Sequence, residues 1–397
     1  MKPGYKQTEA GVIPEQWDVK SFAQLLAFRN GVNADKDAYG QGIPFINVLE
    51  PITYSHIRGP EITGRVTLPP AVAASYAVKV GDILFNRTSE TESELGLASS
   101  FLGTDQVVFG GFVIRGRPLD ESLDPVYSGY ALRAPAIRSQ IIPMGQGAIR
   151  SNIGQQSLRL VLAPVPPLPE QRAIAAALSD VDALLGSLDR LIAKKRDLKQ
   201  AAMQQLLTYQ TRLPSFHGDW EVKTIQELSH VGRGRVISHS EISRSPSPTY
   251  PVFSSQTSND GVMGYLHTYD FEGDYVTWTT DGANAGTVFA RSGRFNCTNV
   301  CGTIKLHNSD HRFIAAALGR VSQPHVSRHL GNPKLMNDVM KKIEITIPHT
   351  RAEQTAIAEV LTDMDAELAA LEQRREKTRN VKQAMMQELL TGKTRLV

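Results

Sequence analysis

Residues 170–213 and 353–396 align without a gap at a constant offset of 183, and 24 of the 44 paired positions are identical. Shared composition does not produce such a block. It is a duplication, and it obliges the chain to build one supersecondary unit twice. A weaker echo precedes each copy. Pro14-Glu15-Gln16-Trp17-Asp18-Val19-Lys20-Ser21 resembles His217-Gly218-Asp219-Trp220-Glu221-Val222-Lys223-Thr224, and Leu25 and Leu228 follow in step. The chain therefore reads as two half-units, each a globular segment of roughly 130–150 residues followed by a helical one.

Both repeat copies carry a helical seam. Ile174, Leu178, Val181, Leu185, Leu188, Ile192, Lys195, Leu198, Ala202 and Leu206 recur at alternating spacings of three and four. In the second copy the seam is Ile357, Leu361, Met364, Leu368, Leu371, Arg375, Thr378, Val381, Met385 and Leu389. This alternation is that of a coiled coil. The first helix opens after Pro166, Pro167 and Pro169, and the second on the capping-box pattern Thr350-Arg351-Ala352-Glu353. Each spans about 39 residues, or roughly 58 Å at 1.5 Å per residue. A lone amphipathic helix must bury its seam, either on its own globular segment or on the other copy. Pairing of the copies implies a pseudo-two-fold axis, antiparallel helices and globular segments at opposite ends. Lys194-Lys195-Arg196 and Arg374-Arg375-Glu376-Lys377 interrupt the seam. They read as solvated, snorkelling stems or as a basic band facing a phosphate backbone or a partner.

The globular segments carry short β-like runs, among them 44–49, 82–85, 106–109, 250–253, 275–278, 301–306 and 342–347, with short helices expected at 126–141 and 311–321. This predicts α+β domains around a twisted sheet with long irregular loops. Ser254–Gly261 follows one strand and Thr279–Gly286 another. The matching place in the first half is Asn86–Thr91, after Gly81-Asp82-Ile83-Leu84-Phe85. Asn, Gln, Arg, Ser and Thr side chains read base edges, although the same residues serve ordinary turns. Bulk charge does not decide between these readings, because the formal net charge is only +3.

Several chemistries find no support. No G-x-G-x-x-G follows a strand. Gly392-Lys393-Thr394 resembles the tail of a phosphate loop, but Gln387 stands where that loop needs glycine. Asp124-Pro125-Val126-Tyr127 lacks the second proline of an amino-methyltransferase motif. Cys297, Cys301, His307 and His311 have five residues where a zinc finger of this ligand type wants about twelve; two packed cysteines and two surface histidines are the plainer reading. No run of about 18 apolar residues marks a membrane span, and the first residues carry no apolar signal segment. The expected compartment is the cytoplasm.

These features together resemble the specificity (S) subunit of Type I restriction–modification systems. The resemblance covers nearly the whole chain. It rests on Ile13-Pro14-Glu15-Gln16-Trp17, Pro167-Leu168-Pro169-Glu170-Gln171-Arg172-Ala173-Ile174, Lys199–Thr208 and Tyr250-Pro251-Val252-Phe253-Ser254-Ser255-Gln256, with the second-copy matches at Glu353-Gln354 and Lys382–Thr391. It implies a target-recognition domain at 1–165, a central conserved coiled-coil helix at 166–212, a second target-recognition domain at 213–348 and a C-terminal conserved helix at 349–397. Each domain would read one half of a bipartite site in double-stranded DNA, and the antiparallel helices would hold the two domains apart and set the unread spacer. The chain would be non-catalytic. Two modification subunits would supply S-adenosylmethionine-dependent methylation, and restriction subunits would supply ATP- and Mg-dependent translocation and cleavage, so no cofactor is expected in this chain.

The candidate DNA-binding residues are Arg87, Thr88, Ser89, Arg150 and Asn152 in the first domain, and Ser255, Gln256, Thr257, Asn259, Thr280, Asn284 and Arg294 in the second. One departure stands out: Glu90-Thr91-Glu92-Ser93-Glu94 follows the first candidate loop, where acidic charge opposes DNA and no Gly-rich counterpart of 281–286 is evident. The alternatives are a related restriction system with a bipartite site and a coiled-coil scaffold that never touches DNA.

Overall fold

The computed structural model describes residues 3–147, 150–328 and 331–396. They pack as two compact units. One comprises the chain up to Leu188 together with Arg374 onward, and the other is Asp189–Gln373. Each unit thus holds one globular segment and part of each of the two 39-residue helices, Leu168–Leu206 and Arg351–Leu389. Among the described residues no helix is long and apolar enough to cross a membrane.

In the first unit, a five-stranded sheet runs Leu26–Asn30, Val113–Pro118, Ile83–Asn86, Ala98–Phe101, His56–Ile57. A three-stranded sheet of Val108–Phe109, Tyr39–Ile46 and Arg65–Val66 accompanies it. In the second unit, one sheet is Ser229–Arg233, Cys301–Leu306, Tyr275–Thr279, Val288–Arg291, and the other Val262–Leu266, Tyr250–Phe253, Arg294–Cys297, Phe271–Glu272. Each globular segment thus holds two main sheets beside smaller two-stranded ones. The reason is a corner: the chain leaves one sheet and enters the other within Gly110–Phe112 in the first unit and Thr298–Val300 in the second. Central strands such as Ile83–Asn86 are buried along their whole length and show no polar alternation. The helix expected at 126–141 is two, Pro125–Ala131 and Pro135–Ile141, because Pro135 pushes the residue before it out of the helical region. His311–Val321 forms as one helix.

Within each unit the two long helices pack antiparallel. In the first, Ile174, Ala175 and Leu178 meet Met385, Met386, Leu389 and Leu390 over Trp17, Tyr127 and Tyr130, and Lys382 reaches Asp182 at 2.6 Å. In the second, Leu206 and Leu207 share a core with Ile357, Ala358 and Leu361, and Lys199 reaches Asp365. The two ion pairs are one pair repeated at the offset of 183. The seam-breaking cations Lys195 and Arg196 face Glu367 and Glu372; such half-exposed pairs contribute little stability.

The Glu-Gln that opens both repeats has a structural reason. Glu170 is fully buried. It accepts the Trp17 indole N–H at 2.8 Å and a two-pronged guanidinium contact from Arg395. Glu353, equally buried, accepts from Trp220 at 3.3 Å and from Arg212 at 2.9 and 2.7 Å. Beside them, the Gln171 amide oxygen accepts the Asp124 N–H at 2.9 Å and that of Gln354 the Asp310 N–H at 3.0 Å. Asp124 and Asp310 are in turn the N-caps of Pro125–Ala131 and His311–Val321. Each repeat thus grips its globular segment through the same four side chains.

Removing a partner from a buried, charge-paired network costs about 3 kcal/mol or more. Glu170→Ala should therefore lower unfolding free energy in urea by about that much. A loss below about 1 kcal/mol would mean that the apolar seam alone holds the helix ends.

Candidate nucleic-acid interface

Backbone pairing gives the two globular segments a common frame that side-chain identity does not. Gly110 N–H donates to Ile46 O at 2.9 Å as Thr298 N–H does to Phe253 O at 2.8 Å. Arg87 N–H donates to Phe112 O as Thr280 N–H does to Val300 O, and Ile153 N–H donates to Arg87 O as Leu335 N–H does to Thr280 O. Thr88 pairs with Asn152 where Asp281 pairs with Lys334. Arg87 is thus the positional equivalent of Thr280, Asn47 of Ser254 and Phe112 of Val300. The frame is tight: a Cβ on Gly31 would lie 2.0 Å from Gly110 O, and one on its equivalent Gly234 2.1 Å from Cys297 O.

The frame brings most candidate residues to one end of the sheets. In the first unit, Thr88–Ser89 pairs with Ser151–Asn152, so Arg87, Thr88, Ser89, Arg150 and Asn152 come together. In the second, Ser255, Gln256, Thr257 and Asn259 leave the end of Tyr250–Phe253, and Thr280 and Asn284 leave the end of Tyr275–Thr279. Both loops flank the Thr298–Val300 corner through Ser254–Thr298 (3.1 Å) and Thr280–Val300 (3.0 Å) contacts. Arg294 does not join them. It begins the strand whose end the loops flank, pairs there with Glu272 at 2.8 Å and lies over the Tyr269 ring.

Burial separates the candidates further. Ser89 is buried and donates to Glu94 at 2.8 Å. Thr280 is also buried; its hydroxyl donates to Asp281 at 2.6 Å and accepts from Arg233 at 3.0 Å. Their hydroxyls are engaged by neighbouring side chains. Thr257, Asn259, Asn284, Arg150 and Asn152 are exposed, and Arg87, Thr88, Ser255 and Gln256 are half-buried. Gln256 and Asn259 lean their amides on Val262 O. Arg150 is held by Glu90 at 2.8 Å.

The acidic stretch is an insertion. Asn86 exchanges backbone bonds with Leu97 and Gly96 as Thr279 does with Thr287 and Gly286. The loop between is three residues longer in the first unit, matching the length of the 3₁₀ turn Glu92–Glu94. The counterpart of 281–286 is thus the stretch after Arg87, lengthened by that turn.

Sequence reading overlooked Arg233, Asp281 and Lys334. Arg233 donates to the Asp281 carboxylate at 3.1 Å, and Lys334 lies 3.6 Å from it. The signal available was a cation at the end of a strand in Gly232-Arg233-Gly234-Arg235. It overlooked Asn47 and Phe112 as well, because their places follow from backbone register alone. Cys297 and Cys301 lie buried with sulfurs 3.5 Å apart, and their mutual hydrogen bond and burial push the Cys297 thiol well up. His311 turns to Ser292 and Asp274. Among the described residues no cluster of three or more His, Cys, Asp or Glu is placed to hold a metal ion.

The family model of the type I restriction modification DNA specificity domain matches residues 217–379. A putative type I specificity subunit N-terminus of Mycoplasma pneumoniae is 41% identical over 145 residues, 36% of this chain and 76% of the relative. The putative type I restriction enzyme MjaX specificity subunit of Methanocaldococcus jannaschii is 27% identical over 99% of this chain and 97% of its own length. Among solved structures, the type I restriction–modification S subunit of M. genitalium superposes with a TM-score of 0.63 at 17% identity, covering 98% and 99% of the two chains.

Arg291 holds the Ser254–Gly261 loop from below. Its side chain is 5% exposed and lies over the Phe253 and Phe289 rings, and its guanidinium binds the carboxylate and the carbonyl of Asp260. Asn259 and Asp260 both sit at φ +50°, a conformation that needs such support. Arg291→Leu should speed amide exchange across 254–261 by about tenfold or more, the value of a charge-assisted hydrogen bond, with 275–279 unchanged. Unaltered exchange would mean that the loop's own turns suffice.

Proposed function

The chain belongs to the type I restriction–modification DNA specificity subunits, and from that premise we propose that its two units are target-recognition halves, each reading one part of a bipartite double-stranded DNA site. One observation carries the reading. Two copies of a single backbone frame present two different sets of polar side chains at the same end of their sheets. Identical surfaces would read one sequence twice; these read two.

In this reading Gln256, Thr257, Asn259 and Asn284 contact base edges in the second unit, with Ser255 and the Arg233–Asp281–Lys334 cluster behind them. Arg87, Thr88, Arg150 and Asn152 do so in the first. Side-chain amides pair with adenine edges and arginine with guanine, and exposed cations add the salt-dependent phosphate term. Ser89 and Thr280 support the loops from inside, and Arg294 serves the far end of its strand. The two long helices set the unread spacer and dock two modification subunits, with restriction subunits joining them in the cytoplasm. The chain itself is non-catalytic. Methyl transfer from S-adenosylmethionine and ATP- and Mg-dependent translocation and cleavage belong to the partners.

Long-read mapping of N6-methyladenine, in cells making this chain with its cognate modification subunit, tests the reading. It should reveal one bipartite motif methylated on both strands. An assembled complex that leaves no new methylation and shows no salt-dependent DNA affinity would overturn it. Gln256→Ala should relax one half-site by about 1–3 kcal/mol and leave the other intact; equal weakening on every sequence would remove Gln256 from the readers.

A further inference from the structure

Phe112 is 54% exposed in a place where hydrogen bonds pin the backbone around it. It sits on the corner between Val108–Phe109 and Val113–Pro118. Gly110 and Gly111 N–H groups donate to Ile46 O and Val32 O at 2.9 Å, and Phe112 O accepts from Arg87 N–H at 2.9 Å. The Arg87 guanidinium donates to Gly111 O at 3.2 Å. Gly110 has no room for a side chain, since a Cβ there would meet the buried Phe45 ring at 2.4 Å, and a Cβ on Gly111 would displace the Asn33 amide, now 1.9 Å from that position. A large apolar ring left half in water on so rigid a corner is a preorganised contact, because little conformational freedom is lost when something covers it.

What covers it is indicated by its surroundings. Phe112 lines an open cleft with Asn47, Val48, Ile52, Thr88 and Arg150, the end of the first unit that carries its candidate readers. Part of the polar chemistry there is already engaged. Arg150 is paired with Glu90, and Ser89 with Glu94. Phe112, Val48 and Ile52 form the apolar part of that surface, beside Asn47, whose amide oxygen has no hydrogen-bond partner among the described residues. At the equivalent position the second unit has the smaller Val300, half-buried between loops rich in amides and hydroxyls. In a B-DNA major groove the apolar feature of a base edge is the thymine methyl.

We propose that Phe112 is a specificity-determining residue of the first unit, reading thymine through apolar contact with its C5-methyl group. This rests on the DNA-reading function proposed above. The first half of the site is then read through a methyl contact added to the hydrogen bonds of its polar readers, and the second through hydrogen bonds.

The test uses the chain assembled with its modification subunit, on the duplex defined by methylation mapping. Each thymine in the half-site unaffected by Gln256→Ala is replaced in turn by deoxyuridine, which removes only the methyl. At one position the wild-type complex should bind about three- to fivefold more weakly, the effect of one buried methyl. The Phe112→Ala complex, confirmed as folded by its melting curve, should bind both duplexes alike and lose its preference for thymine over cytosine there. If deoxyuridine is silent at every position, or Phe112→Ala keeps the methyl sensitivity, the inference is overturned. It is equally overturned if Phe112→Ala blocks assembly, because the ring then covers a protein partner. If the wild-type complex shows no sequence preference at all, the DNA-reading function itself fails, and this inference with it.

Discussion

Glu170 and Glu353 place carboxylates where almost no water reaches, and a charge in such a place persists only if it is matched and hydrogen-bonded. Each is matched by an indole and a guanidinium from residues far from it in sequence. The carboxylate sits in the first turn of one long helix. The indole N–H comes from the entry to the globular segment. The guanidinium comes from the residues that follow the other long helix. The clamp therefore closes only when the two helices are in register, since a slip of one turn would move the guanidinium by about 5.4 Å. Antiparallel packing, the attachment of the globular segment and the end of the partner helix are settled together.

The same constraint explains the glycine that mimics a phosphate loop. Gly392 has φ +68° and packs against Pro14 and Trp17, where a Cβ would come within 2.5 Å of the proline ring. It ends the second helix in the left-handed conformation that glycine favours and turns Arg395 back toward Glu170. At the offset of 183 the first helix has Tyr209, with φ +63°. A side chain there costs on the order of 1–2 kcal/mol, offset by the ring's contacts with Trp220 and Arg212. Two residues of opposite conformational preference thus make one turn, and the substitution hides the equivalence from a comparison of residue types.

The helices were legible because their determinants are local and repeated. The seam, the Glu-Gln pair and the Thr-Arg-Leu ending recur at one offset. The globular frame was not legible, because backbone bonds carry it. Nothing in Ile46 and Phe253, or in Gly110 and Thr298, signals that they occupy one position. The loop after Arg87 was found by its place after a strand, while its acidic residues gave no sign that they form a three-residue 3₁₀ insertion closed by Ser89. Arg294 shows the opposite case. Residue type suited it to DNA, but strand direction puts it at the start of a strand whose other end meets the loops. Burial misled likewise at Thr280, a polar residue that supports its neighbours from within.

A frame made of backbone bonds and glycine contacts has a consequence for specificity. Where side chains hold a fold, changing them costs stability; where backbone holds it, the side chains that project from it can differ at little cost. The corner shows this directly. Gly110, Gly111 and Phe112 in one unit, and Thr298, Asn299 and Val300 in the other, satisfy the same hydrogen bonds with no residue in common. Both units even fix the same corner carbonyl with an arginine, Gly111 O by Arg87 and Asn299 O by Arg233, although the two arginines come from different strands. The side chains facing outward can therefore change, from Phe112 to Val300 and from Gly111 to Asn299, while the backbone that carries them stays in position.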